Sequence, residues 1–235
     1  MTPDNARRLL AACGLLAVAL ILPAFVLVTP APAVTASAAS IASYYRAVGR
    51  PFLVYGWLAA LSVPLVMAHI AGVGAWLRER RETRGLSLLY LLTGAGSQTM
   101  QLVLLAIFQT ARFAAADGNG PGAKLLSDLG NAGFAFYAVI AGGWLTVATV
   151  AVFRTAVPSW LGVLTAASAI LCLLGSLGTF ASGSLAAGRL LAVAWYLVYL
   201  AVFSVFNVWL LTARFAWPGT GAQASPAREA SAVDA

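Results

Sequence analysis

Charge is what this chain has least of. Of its 235 residues only 9% are charged, while 61% are hydrophobic. A soluble domain carries about a quarter charged residues to keep its surface wetted. Fourteen basic and seven acidic groups cannot cover a globule of this size, so lipid is expected to cover most of it. Histidine occurs once, at His69, lysine once, at Lys124, and cysteine twice, at Cys13 and Cys172. One histidine with two distant cysteines makes no metal-ligand set, so neither a metal nor a cofactor is expected. Both cysteines lie in apolar stretches and read as small hydrophobes, not as a disulfide.

A membrane helix needs about 20 mostly apolar residues to cross roughly 30 Å of hydrocarbon. Six stretches qualify: 9–28, 52–77, 86–110, 133–153, 159–180 and 190–212. None contains Asp, Glu, Lys or Arg. The fold class expected is therefore all-α, a polytopic bundle of six transmembrane helices forming one domain over 1–217. The tail 218–235 is small, polar and proline-bearing, and is expected to be disordered.

What the expected helices lack also bounds the chemistry. Without an intramembrane carboxylate there is no obvious proton or sodium coupling site. No lysine falls within them to form a Schiff base. No phosphate-binding loop, zinc-protease helix or nucleophile elbow appears, and the Gly-rich GNGPG at 118–122 reads as a turn in an outer loop. The net charge of +7 does not point to nucleic acid, because the arginines gather at the ends of apolar runs and not on one face.

Those arginines set the expected orientation. With the N-terminus inside, Arg7, Arg8, Arg78, Arg80, Arg81, Arg84, Arg154, Arg214 and Arg228 fall on one side. Arg46, Arg50, Arg112, Lys124 and Arg189 fall on the other. Nine against five places both termini in the cytoplasm. Arg78, Arg80, Arg81 and Arg84 alternate with Glu79 and Glu82, and read as topology and headgroup contacts. The segment 43–51, SYYRAVGRP, pairs aromatics with Arg46 and Arg50 and suits an interfacial cap on the outer surface.

Uncharged polar residues inside the apolar stretches are the informative minority, because each must find a partner. Tyr55, Ser62, His69 and Trp76 recur every seven residues, on one helical face. Gly94, Ser97, Gln98 and Gln101 share a side of the third helix, Tyr137 and Trp144 lie seven apart in the fourth, and Tyr196, Ser204 and Asn207 form a stripe in the sixth. Two readings follow. Gln, Asn and His bridge helices by hydrogen bonds, or His69, Gln98, Gln101, Asn207 and Tyr137 converge on a polar cavity for a small or amphipathic ligand.

The charged hairpin WLRERRETRG at 76–85, the long first outer loop and VPSWLG at 157–162 together resemble, in layout, bacterial six-helix integral membrane proteins of unknown function. The Arg-over-Lys bias and the abundance of Ala fit a GC-rich bacterial genome. The resemblance implies membrane location and helix count and carries no site residues; the localisation expected is a bacterial cytoplasmic membrane. The expected function is a non-enzymatic structural, regulatory or small-ligand-binding membrane protein. The alternatives are a membrane-embedded enzyme acting on a lipid or isoprenoid, with His69 as its acid or base, and a transporter or channel component. The partners expected are the lipid bilayer and a membrane protein or second copy, with no nucleic acid.

Arg7, Arg8, the first apolar run and Ala36-Ser37-Ala38 also resemble a secretory signal with its cleavage site. A signal's apolar core is about 7–15 residues and this one is longer, so an uncleaved helix is expected. Intact-protein mass spectrometry checks this: the mass should include residues 1–38, and a mature N-terminus near residue 39 would identify a cleaved signal.

Overall fold

An apolar segment in hydrocarbon has no water to pair with its backbone and must satisfy its own N–H and C=O groups, which a helix does. The computed structural model describes residues 3–28, 32, 34–177 and 190–213. Among them it has six helices: α1 (Pro3–Val28), α2 (Ala38–Glu79), α3 (Arg84–Ala116), α4 (Gly120–Phe153), α5 (Ser159–Ser176) and α6 (Leu190–Thr212). All six are long and apolar enough to cross a membrane. Arg189, Arg214, Arg228, the 181–189 connection and the tail 218–235 lie outside the described residues.

Successive helices from α1 to α5 pack side by side, and α6 lies against both α1 and α5, closing the bundle; α2 also touches α4. Large apolar side chains such as Leu88, Leu92, Val163 and Ile170 face outward. That is an exterior made for hydrocarbon, not for water.

Four helices, α1 to α4, outgrow their expected bounds. At about 1.5 Å per residue, the 42 residues of α2 run about 63 Å, twice a bilayer core. The segment expected as an outer loop is helical from residue 38. Ser37 caps it by accepting from the Ser40 amide at 3.2 Å, the N-terminal preference of short hydroxyl side chains. Ile41, Ala42 and Tyr45 then bury against Ala111, Ala115 and Ala123 of α3 and α4 in a second small core. Periodicity alone could not foresee that packing. A kink at Gly49 separates this piece from the rest of α2, two residues before Pro51, whose ring crowds the carbonyl four residues back.

The α3–α4 hairpin extends in the same way. Its turn is made by Gly118 at φ 78° and by Asn119, whose side chain accepts from the Gly122 amide at 2.9 Å. Lys124, expected in a loop, therefore stands on α4, bonded to Asp128 and, at 2.8 Å, to the Val34 carbonyl. Expecting no lysine in any helix was too strict, although Lys124 lies outside the apolar core of α4.

One arginine holds α6 in place. Arg7 is only 4% exposed. Its guanidinium donates to the Leu210 carbonyl at 2.9 Å and to that of Ala213, at the C-terminus of α6, with Asp4 3.6 Å away. The last carbonyls of a helix have no intrahelical donor, and a cation there also meets the negative end of the helix dipole. Replacing Arg7 by Ala should lower stability in detergent by about 1.5–3 kcal/mol, the range for bonds to a charged group. Thermal unfolding beside the exposed Arg8→Ala control measures it, and equal melting of the two variants would contradict the clasp.

Candidate functional site

The single histidine sits where three helices meet. His69 on α2 is 1% exposed, and its Nδ1 lies 3.4 Å from the Leu10 carbonyl of α1. A carbonyl only accepts, so this contact assigns the proton to Nδ1 and leaves Nε2 as an acceptor. The ring packs edge-on against Phe203 and Phe206 of α6, with centroids 4.9 and 6.1 Å away.

The other polar residues take different levels. Asn207 on α6 is fully buried and donates to the Phe203 carbonyl of its own helix at 2.8 Å. Its Oδ1 has no partner. It faces Gly14 of α1, where an added Cβ would stand 2.3 Å from that oxygen. Gln98 is buried, with Nε2 3.4 Å from Ser97 Oγ and Oε1 unpartnered. Half-buried Gln101 joins it along a seam with Val18, Val66, Tyr196 and Tyr199 that has no room for a water molecule. Tyr137 is buried within 5.9 Å of Phe134 and Trp195. Its hydroxyl lies beside Ser97 and Tyr199 without meeting either at hydrogen-bond geometry.

His69 therefore borders one void, Gln98 and Gln101 border another seam, and Asn207 and Tyr137 border neither of these two. Of His69, Gln98 and Asn207, only His69 reaches another helix at hydrogen-bond distance. Most hydroxyls also bond back within their own helix, as Thr146, Thr149, Thr165 and Ser204 do at 2.7–2.8 Å to the carbonyl four residues earlier. That local bond is always within reach of a short side chain, so it competes successfully with a bridge.

What joins the levels is a ladder of rings. Trp195, Tyr199, Phe203 and Phe206 follow one face of α6, a spacing of three to four residues visible in the sequence. Tyr199 and Phe203 stack at 6.1 Å and 14°. Trp144 of α4 reaches both, at 6.3 and 6.2 Å, and Tyr90 of α3 at 5.6 Å.

Rigid rings do not fill all the space between five helices. A cavity of about 50 Å³ remains, bounded by His69, Trp76, Tyr90, Trp144, Thr165 and Phe206 among others. Of the polar cluster read from the sequence, only His69 borders it. The cavity is not fully enclosed, and Ala148 and Phe206 on its wall are half-buried at the flank of the bundle. Its walls are almost wholly apolar, and apolar cavities stay dry.

The arginine-rich turn between α2 and α3 lies at the same end. Thr83, overlooked in the sequence, is fully buried and caps α2 by donating to the Leu77 carbonyl at 2.8 Å. Arg84 Nε donates to the Arg78 carbonyl at 3.3 Å, Arg80 lies over the Trp76 ring, and Arg78 and Arg81 are exposed. No group of three metal-ligating side chains occurs among the described residues.

The Gly14–Asn207 contact yields a prediction by double-mutant cycle. Gly14→Ala should destabilise the wild type by about 1–3 kcal/mol through overpacking, and should cost much less in an Asn207→Ala background. Additive losses in thermal unfolding would show that α1 and α6 do not meet there.

No protein-family model, no curated protein and no solved structure matches the chain, so its function is read from this geometry.

Proposed function

We propose that the protein is a non-enzymatic, multi-pass integral membrane protein that takes the hydrocarbon chain of a small lipid-like ligand into the cavity between His69, Trp144 and Phe206. The observation that carries this reading is an apolar cavity bordering the flank of a bundle whose exterior is itself apolar. In hydrocarbon the molecules available to enter such a space are lipid chains; about 50 Å³ admits the end of one, and filling it restores the dispersion contacts that its lining otherwise lacks. His69 has its Nδ1 committed to a backbone carbonyl and, among the described residues, no carboxylate partner to orient it as a catalytic base, which favours binding over catalysis. Gln98, Gln101, Asn207 and Tyr137 are assigned to shaping the interior that carries α6.

The orientation proposed is N- and C-termini in the cytoplasm, in a bacterial cytoplasmic membrane. The exposed Arg78, Arg81 and Arg84 at the α2–α3 turn and the nine-to-five distribution of basic residues support it. On that reading, the 38–48 piece of α2 and the turn of α3–α4 form a cap on the outer surface.

Quenching of tryptophan fluorescence by lipids brominated along the chain tests the cavity. Trp144 is 2% exposed, so a bromine outside the bundle does not touch it, whereas a chain within the cavity does. Ala148→Phe, which fills the cavity from its mouth, should reduce the quenched fraction relative to the wild type while circular dichroism stays unchanged. Equal quenching in the two proteins would contradict chain entry.

A further inference from the structure

Trp76 joins this cavity to a charge. Its ring forms part of the cavity wall and also carries the Arg80 guanidinium, 4.7 Å from the ring centroid. Arg80 Nε is buried without a hydrogen-bond partner. No carboxylate lies within ion-pair distance of Arg80 among the described residues, although Glu79 and Glu82 are close in sequence and exposed. The neighbouring arginines are placed differently: Arg84 is turned to the Arg78 carbonyl, and Arg78 and Arg81 are exposed. Arg80 alone of the four stands on a ring of the cavity.

A guanidinium has five N–H donors in a fixed fork suited to carboxylate or phosphate. Placement over the Trp76 ring holds the guanidinium in place before a ligand arrives, and its Nε is a donor without a protein partner. From Trp76 down to His69 the cavity wall follows two turns of α2, about 10 Å at the helical rise. Arg80 does not itself line the cavity, but it lies over Trp76, which does, so a charge stands beside one end of an apolar space, the layout of an amphiphile site.

We propose that Arg80 binds the headgroup of the cavity's ligand, and that this ligand is an amphiphile carrying one anionic group, a carboxylate or a phosphate. The proposal rests on the reading of the cavity as a site for a hydrocarbon chain, and adds to it the charge and position of the head. A free fatty acid and an anionic phospholipid share this chemistry.

Photolabelling of the full chain in phosphatidylcholine vesicles tests it, using a fatty acid with a terminal diazirine and the matching fatty alcohol. In the wild type the acid should label residues between 144–152 or 202–206 about tenfold more than the alcohol, the effect of a bond to a charged group. Arg80→Gln should abolish that preference, Arg80→Lys should keep part of it, and Arg81→Gln should leave it intact. Displacement of the label by palmitate alone identifies a free acid as ligand, and displacement by phosphatidylglycerol identifies a phospholipid. Equal labelling by acid and alcohol in the wild type, a preference that survives in Arg80→Gln, or failure of both competitors overturns the role of Arg80 and leaves the cavity reading standing. Labelling that avoids the cavity, or persists there in Ala148→Phe, overturns the cavity reading itself.

Discussion

Lipid chains are as apolar as leucine, so the hydrophobic effect that collapses soluble proteins gives these helices little reason to associate. Everything else in the bundle follows from that constraint. Cohesion has to come from close approach and from a few polar clasps that lipid cannot replace. Gly14 lets Asn207 against the backbone of α1, and Gly175 receives the Trp195 ring in the same way, with a Cβ position only 2.3 Å from the indole. Arg7 closes the last seam by capping α6. At the opposite end Arg46 donates at 3.4 Å to the Ala115 carbonyl near the C-terminus of α3. Arginines that orient a membrane protein by their charge here also finish helices, because the same helix ends leave carbonyls unpaired.

The same constraint shapes the interior. Association through large rings on α4 and α6 produces strong dispersion contacts but coarse filling, since rings pack in few orientations. The gap they leave beside Trp144 and Phe203 is dry, borders the flank and ends at a tryptophan bearing a cation. Packing and the cavity are therefore one arrangement, with α6 as the element that both closes the bundle and walls the cavity.

Much of this architecture is legible from composition and periodicity. Runs without charge locate all six helices, and the sevenfold spacing from Tyr55 to Trp76 identifies the inward face of α2, where Ser62 and His69 are indeed buried. What stayed hidden depends on tertiary partners. The helical piece at 38–48 forms because Ile41 and Tyr45 meet alanines 70 residues away, a contact with no local signature. Asn207 and Gln98 look like bridges by type, yet whether an amide reaches across or bonds its own helix depends on a few ångströms of helix separation. The cavity is less legible still, because a void is a property of what fails to fill. The aromatic spacing on α6 was its one visible sign.

Native mass spectrometry of the protein released from nanodiscs of mixed zwitterionic and anionic lipid tests the central claim most directly. A cavity that holds one chain should leave one lipid-like molecule bound per chain after the surrounding lipids have been stripped, and its mass should correspond to an acid or an anionic phospholipid. A protein that emerges bare at the energies that remove the outer lipid shell, or that keeps a variable number of zwitterionic lipids, would contradict the account.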